Sequence, residues 1–159
     1  MVLSEGPRFM LETITTAIIV YGSSALFVYW FRYACRLLLA AKPARNYAGE
    51  VVKANRLVFM AVRESLRYET APDLARLMAS LDRDYVVLTC LLTHVASPAA
   101  SLDRQILRID YHIMAGWCVL TRGIAPRVAR RAVGEMASVV AHFADSLGEQ
   151  AAIRLCGLR

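Results

Sequence analysis

Residues 13–33 read TITTAIIVYGSSALFVYWFRY: nineteen residues without a charge, then Arg32. A buried core helix, a cleaved signal segment and a membrane span can each absorb such a run, and the choice decides the fold. From Thr13 to Phe31 a helix rises about 28 Å, close to the ~30 Å hydrocarbon layer of a bilayer. Its Thr and Ser residues (Thr13, Thr15, Thr16, Ser23, Ser24) can bond their own backbone. No polar face is left to meet water, which argues against a core helix. A signal segment starts basic, has a shorter apolar core and ends at a small-x-small site. Here the leader SEGPRFMLE is slightly acidic, and the run passes straight into aromatic and basic residues. The run reads as a span.

The flanks orient it. Tyr29, Trp30, Phe31 and Tyr33 gather where the basic residues begin, as expected of side chains that prefer the headgroup region. Residues 1–31 carry Arg8 against Glu5 and Glu12, net −1. Residues 32–56 carry Arg32, Arg36, Lys42, Arg45, Lys53 and Arg56 against Glu50, net +5, and the rest of the chain supplies the remaining +2 of the total +6. Carrying several solvated arginines through hydrocarbon costs far more than carrying the short N-terminal tail. The expected topology is N-terminus outside and C-terminus inside, in a bacterial inner (plasma) membrane. Tyr29, Trp30, Arg32, Tyr33 and Arg36 are the expected membrane-interface residues and membrane lipid the first partner. Arg32 and Arg36, four apart, open an amphipathic basic extension that Pro43 ends. In the middle of the run, Gly22, Ser23 and Ser24 form a small, polar notch where another transmembrane helix can approach closely.

The same distribution speaks against nucleic acid. A DNA-binding face spreads basic residues over a folded domain with a motif to aim them, whereas most of this surplus lies directly behind the apolar run. The chain has 159 residues, 57% of them apolar, above the ~45–50% usual for soluble globular proteins. Its four cysteines (Cys35, Cys90, Cys118, Cys156) are far apart, without a CxxC, and read as small buried apolar residues in a reducing compartment.

Beyond a 43–46 linker, apolar residues recur at helical spacing in four blocks. The first, about 47–69, places Val51, Val58, Val62 and Leu66 on one stripe. The second, about 72–97, runs Leu74, Leu77, Leu81, Tyr85, Leu88, Leu92 and Val95. The third, about 101–122, runs Ile106, Ile109, Ile113, Trp117 and Leu120. The fourth, about 126–152, runs Ala129, Val133, Met136, Val140, Phe143 and Leu147. TAPD (70–73), SPAAS (97–101) and RGIAP (122–126) separate them. Short loops favour antiparallel neighbours. The expected fold is all-α: an extracytoplasmic tail (1–12), one N-terminal transmembrane helix with its extension (13–42), the linker, and a cytoplasmic antiparallel bundle of about four helices (47–159). The uncharged stretch 85–102 contains His94 and Pro98 and is flanked by Asp84 and Asp103, so it reads as a core helix and not as a second span.

Chemistry is sparse. No GxSxG, HExxH, phosphate-loop or dinucleotide fingerprint is present. His112 falls at a different level of an up-down bundle from His94 and from His142, offset by roughly 9–12 Å, too far for the three to share a metal. Only His94 and His142 come level, and two histidines make an incomplete site. Asp110, between Ile109 and Tyr111, needs an Arg partner or a raised pKa if it is buried. Arg127, Arg130 and Arg131 form a compact basic contact patch at the start of the fourth block. The expected function is that of a structural, accessory or interaction subunit of a membrane assembly, without cofactor and with a protein partner in the membrane. The alternative is a membrane-bound enzyme or redox protein using His94, His142, His112 or Asp110 at the inner leaflet.

Overall fold

One unbroken helix, α1 (Gly6–Ala40), carries the whole apolar run in the computed structural model. The structure describes residues 6–40, 47–95 and 101–157, with side chains over 10–40, 47–94 and 102–154. The expected linkers at 43–46 and 97–100, residues 1–5 of the expected tail (1–12) and the Cys156 side chain lie outside the described residues. Thr15, Thr16 and Ser24 turn their hydroxyls back to the carbonyls of Leu11, Glu12 and Val20, each at 2.8 Å, so they add no polar face. Met10–Ala40 is long and apolar enough to cross a membrane, and none of its most apolar window is buried.

The chain divides into two compact units, Met1–Leu37 and Leu38–Arg159. The second contains α2 (Ala48–Asn55), α3 (Phe59–Tyr68), α4 (Leu74–Val95), α5 (Ser101–Thr121) and α6 (Pro126–Gly157). Among the described residues there is no strand. Helix α6 packs against each of α2, α3, α4 and α5, and α3 also packs on α4. Its sequence suits that central place. Val133, Met136, Val140, Phe143 and Leu147 fill the expected seam, while Ala129, Ala132, Ala137 and Ala144 let neighbours come close; all are buried.

The helix boundaries have local causes. Asp73 caps α4 by accepting the backbone N–H groups of Ala75 at 3.1 Å and Arg76 at 3.2 Å. Pro126 opens α6 at the position where a missing N–H costs nothing.

Two expectations fail. The single helix expected over 47–69 is two, so the second unit has five helices among the described residues, not about four. Arg56 turns left-handed at φ 52°. The buried Asp84 carboxylate then accepts the N–H groups of Val58 at 2.6 Å and Phe59 at 2.7 Å, capping α3 from a different helix. The turn buries Leu57 and Phe59 and leaves Val58, expected inside, 40% exposed. Helix α2 is capped in the same long-range manner, the Ala48 N–H donating to Asp145 Oδ1 of α6 at 2.7 Å.

The second failure concerns the face of α5. Its buried residues are Leu107, Asp110, Tyr111, Met114 and Cys118; the expected seam residues Ile109, Ile113, Trp117 and Leu120 are exposed, and Ile106 is half-buried. Helix α5 carries two apolar stripes, and the core takes the one that brings Tyr111 onto α4.

Candidate functional site

The densest polar and aromatic constellation lies where α4, α5 and α6 meet. Tyr85 of α4 and Tyr111 of α5 stack face to face, with ring centroids 4.1 Å apart and planes within 6°. Phe143 of α6 tilts against Tyr85 at 6.1 Å, and the His112 ring meets both tyrosines edge-on at 5.5 and 5.8 Å. The Tyr111 hydroxyl donates to Asp82 Oδ1 at 2.7 Å. Burial first, then this hydrogen bond and the Asp82 charge, hold its phenol protonated far above the ordinary range. The Tyr85 hydroxyl is buried with no hydrogen-bond partner among the described residues.

Beside the stack is a cleft of about 190 Å³ whose polar lining is Thr89 and Thr93 of α4 and Arg104, Gln105 and Arg108 of α5. Both threonine hydroxyls are turned to carbonyls of their own helix. The lining supplies guanidinium charge and an apolar floor from Leu92 and Phe143, and it contains neither a carboxylate nor an imidazole to act as base.

The histidines are dispersed. His94 is exposed with Nδ1 2.8 Å from the Cys90 carbonyl. His112 is exposed over the tyrosine pair. His142 is half-buried, and burial lowers its pKa, an effect that Asp145, Asp103 and Glu149 partly offset. Among the described residues no three His, Cys, Asp or Glu side chains gather as metal ligands would. Asp110 is 1% exposed and partnered. Cys35 and Cys118 are buried as expected, but Cys90 faces out.

The expected basic patch is divided. Arg127 and Arg131 are exposed, whereas Arg130 is half-buried and donates through Nε to the Leu66 carbonyl at 3.0 Å and through Nη1 to Thr70 at 3.4 Å. A second donation from Nη2 also reaches Leu66. Arg130 thus satisfies the Leu66 carbonyl in the last turn of α3 and the Thr70 carbonyl just beyond it.

On α1, Tyr29 and Trp30 are exposed and Trp30 meets Tyr33 edge-on at 5.9 Å. Arg32 is half-buried and Arg36 exposed, and both are partnered. Gly22, Ser23 and Ser24 are exposed, and a Cβ on Gly22 would meet nothing within 4 Å.

Sequence reasoning missed the capping roles of Asp84 and Asp145. For Asp84 a signal existed: an acid three residues after Leu81 and beside Tyr85, inside an otherwise apolar stripe. Comparison with known proteins finds no matching family model, no matching curated protein and no matching solved structure.

Proposed function

We propose that this chain is a single-pass membrane subunit, anchored in a bacterial inner membrane by α1 with its N-terminus outside, whose C-terminal helices stand in the cytoplasm and serve a larger membrane assembly. The observation that carries the reading is the bare apolar surface of α1. Ile14, Ile18, Ile19, Leu26, Phe27 and Val28 are each more than half exposed, and such a surface needs lipid or protein cover. The +5 cluster over 32–56 supports the orientation. The dispersal of the histidines supports a role in assembly over catalysis.

Fractionation of cells expressing the full chain tests it. The protein is expected to stay with membranes through alkaline carbonate extraction. Protease added to sealed vesicles is expected to cut the second unit only from the cytoplasmic face, and native purification is expected to return membrane proteins in fixed ratio. Release by carbonate, or a second unit open to protease from the outside, overturns the reading.

A further inference from the structure

The outward stripe of α5 has an order that a merely wet surface does not need. Leu102, Ile106, Ile109, Ile113, Gly116 and Leu120 follow one another at intervals of four, three, four, three and four residues. This is the 3.5-residue repeat of a helix that packs along a second helix. Leu102, Ile109, Ile113 and Leu120 are 67, 52, 44 and 70% exposed, and Trp117 beside them 51%. The opposite side of α5, with Leu107, Tyr111, Met114 and Cys118, is already taken by the core of its own unit.

The stripe is also symmetric. Leu102 and Leu120, Ile106 and Gly116, and Ile109 and Ile113 are each equidistant from Tyr111 along the chain. Two copies of α5 laid antiparallel therefore match layer for layer: leucine on leucine at the ends, isoleucine on isoleucine near the axis. In the remaining layer the large Ile106 meets Gly116, where a Cβ has only open space around it. The charges agree. Asp103 flanks the stripe, and the antiparallel arrangement keeps the two Asp103 carboxylates about 24 Å apart along the helix, where a parallel one sets them at one level. The other flank carries Gln105 and His112, with the exposed Arg108 next beyond them. With side chains of about 200 Å² each roughly half to two-thirds exposed, two copies bury on the order of 1,200 Å², the lower bound for a stable protein–protein interface.

We propose that the outward face of α5 is the interface between two copies of this chain, with the two α5 helices antiparallel and their two-fold axis at the level of Tyr111. The interface lies within the second unit and stands whether or not α1 spans a membrane.

Oxidative cross-linking of the full chain in its native membranes tests it, measured against the unchanged chain, whose own cysteines set the background. Copies carrying Leu102→Cys are expected to cross-link to co-expressed copies carrying Leu120→Cys. Neither variant cross-links to itself, because like positions lie about 27 Å apart along the antiparallel pair. Adding Ile113→Arg at this partly exposed site is expected to lower the cross-linked fraction at least ~10-fold, with helix content unchanged. Three results overturn the proposal: no cross-link in the mixed sample, self-cross-linking of Leu102→Cys, and shielding of both cysteines from a water-soluble maleimide without any cross-link. The last means that lipid or a different protein covers the face.

Discussion

Asp84 and Phe59 stand 25 residues apart in sequence, yet the Asp84 carboxylate accepts the Phe59 N–H at 2.7 Å in a site closed to solvent. The α2–α3 turn rests on this contact and its companion to Val58. Asp84→Ala strands one buried backbone donor, at Phe59, and one part-buried donor, at Val58, and is expected to destabilise the second unit by about 2–3 kcal/mol. The exposed cap variant Asp73→Ala is expected to cost about 1 kcal/mol. Denaturant unfolding of the detergent-solubilised full chain compares them; equal effects would remove the special role of Asp84.

The stacked tyrosines are chemically unequal. Tyr111 donates to Asp82, while the Tyr85 hydroxyl is buried without a partner among the described residues. Tyr111→Phe is therefore expected to destabilise by about 1 kcal/mol, and Tyr85→Phe to be neutral or to stabilise by up to about 1 kcal/mol. Both keep the ring stack, so melting temperatures moving in opposite directions report the hydroxyls alone.

His142 gives the second unit a pH dependence. Burial lowers its folded pKa below the ordinary value of 6.5, so between the two values the unfolded chain binds the proton more readily than the folded one. The stability contribution of His142 is complete above pH 6.5 and falls as the pH drops from there towards the folded pKa. Melting curves from pH 8 to pH 5.5 are expected to show this loss, and His142→Gln to lessen it. An unchanged slope in the variant would assign the loss to other groups.

Arg130 is expected to act in folding more than in contact with a partner. Arg130→Ala removes the donors that cover the Leu66 and Thr70 carbonyls and is expected to cost about 1–2 kcal/mol, with Arg130→Lys recovering only part because one ammonium cannot reproduce the fork. Arg127→Ala, at an exposed site, is expected to leave unfolding unchanged.

In α1, a Cβ added at Gly22 meets nothing within 4 Å among the described residues, so Gly22→Leu probes the outer surface of the helix. If the notch receives a neighbouring transmembrane helix, the added side chain blocks close approach. Partner recovery from native membranes is expected to drop several-fold while membrane insertion stays complete. Undiminished recovery would count against the notch.

Where the determinants are local, the sequence reads correctly. The uncharged run forms one helix, TAPD and RGIAP separate helices as expected, and the α6 seam is buried residue for residue. The split at Arg56 was illegible because it involves neither Gly nor Pro, and the carboxylate that fixes it comes from α4. The inward face of α5 was misread for a different reason. Both of its stripes satisfy the helical period, and periodicity names a face without saying which way it points. The buried Asp110 made the true inner face look polar. Chemistry that depends on two helices meeting, as in the tyrosine stack, has no signature in either helix alone.

The central position of α6 has a consequence for biosynthesis. Helices α2, α3, α4 and α5 all pack on a helix that follows them in the chain, and the cap of α2 comes from Asp145, 97 residues downstream of Ala48. While the ribosome is still making α5, helices α3 and α4 can already pack on one another, but α2, α3 and α4 all still lack the α6 surface against which they finally pack. The unit therefore cannot complete its core until α6 emerges. Leu81, Tyr85 and Leu88 remain available to chaperones through that interval, long after α1 has left the exit tunnel.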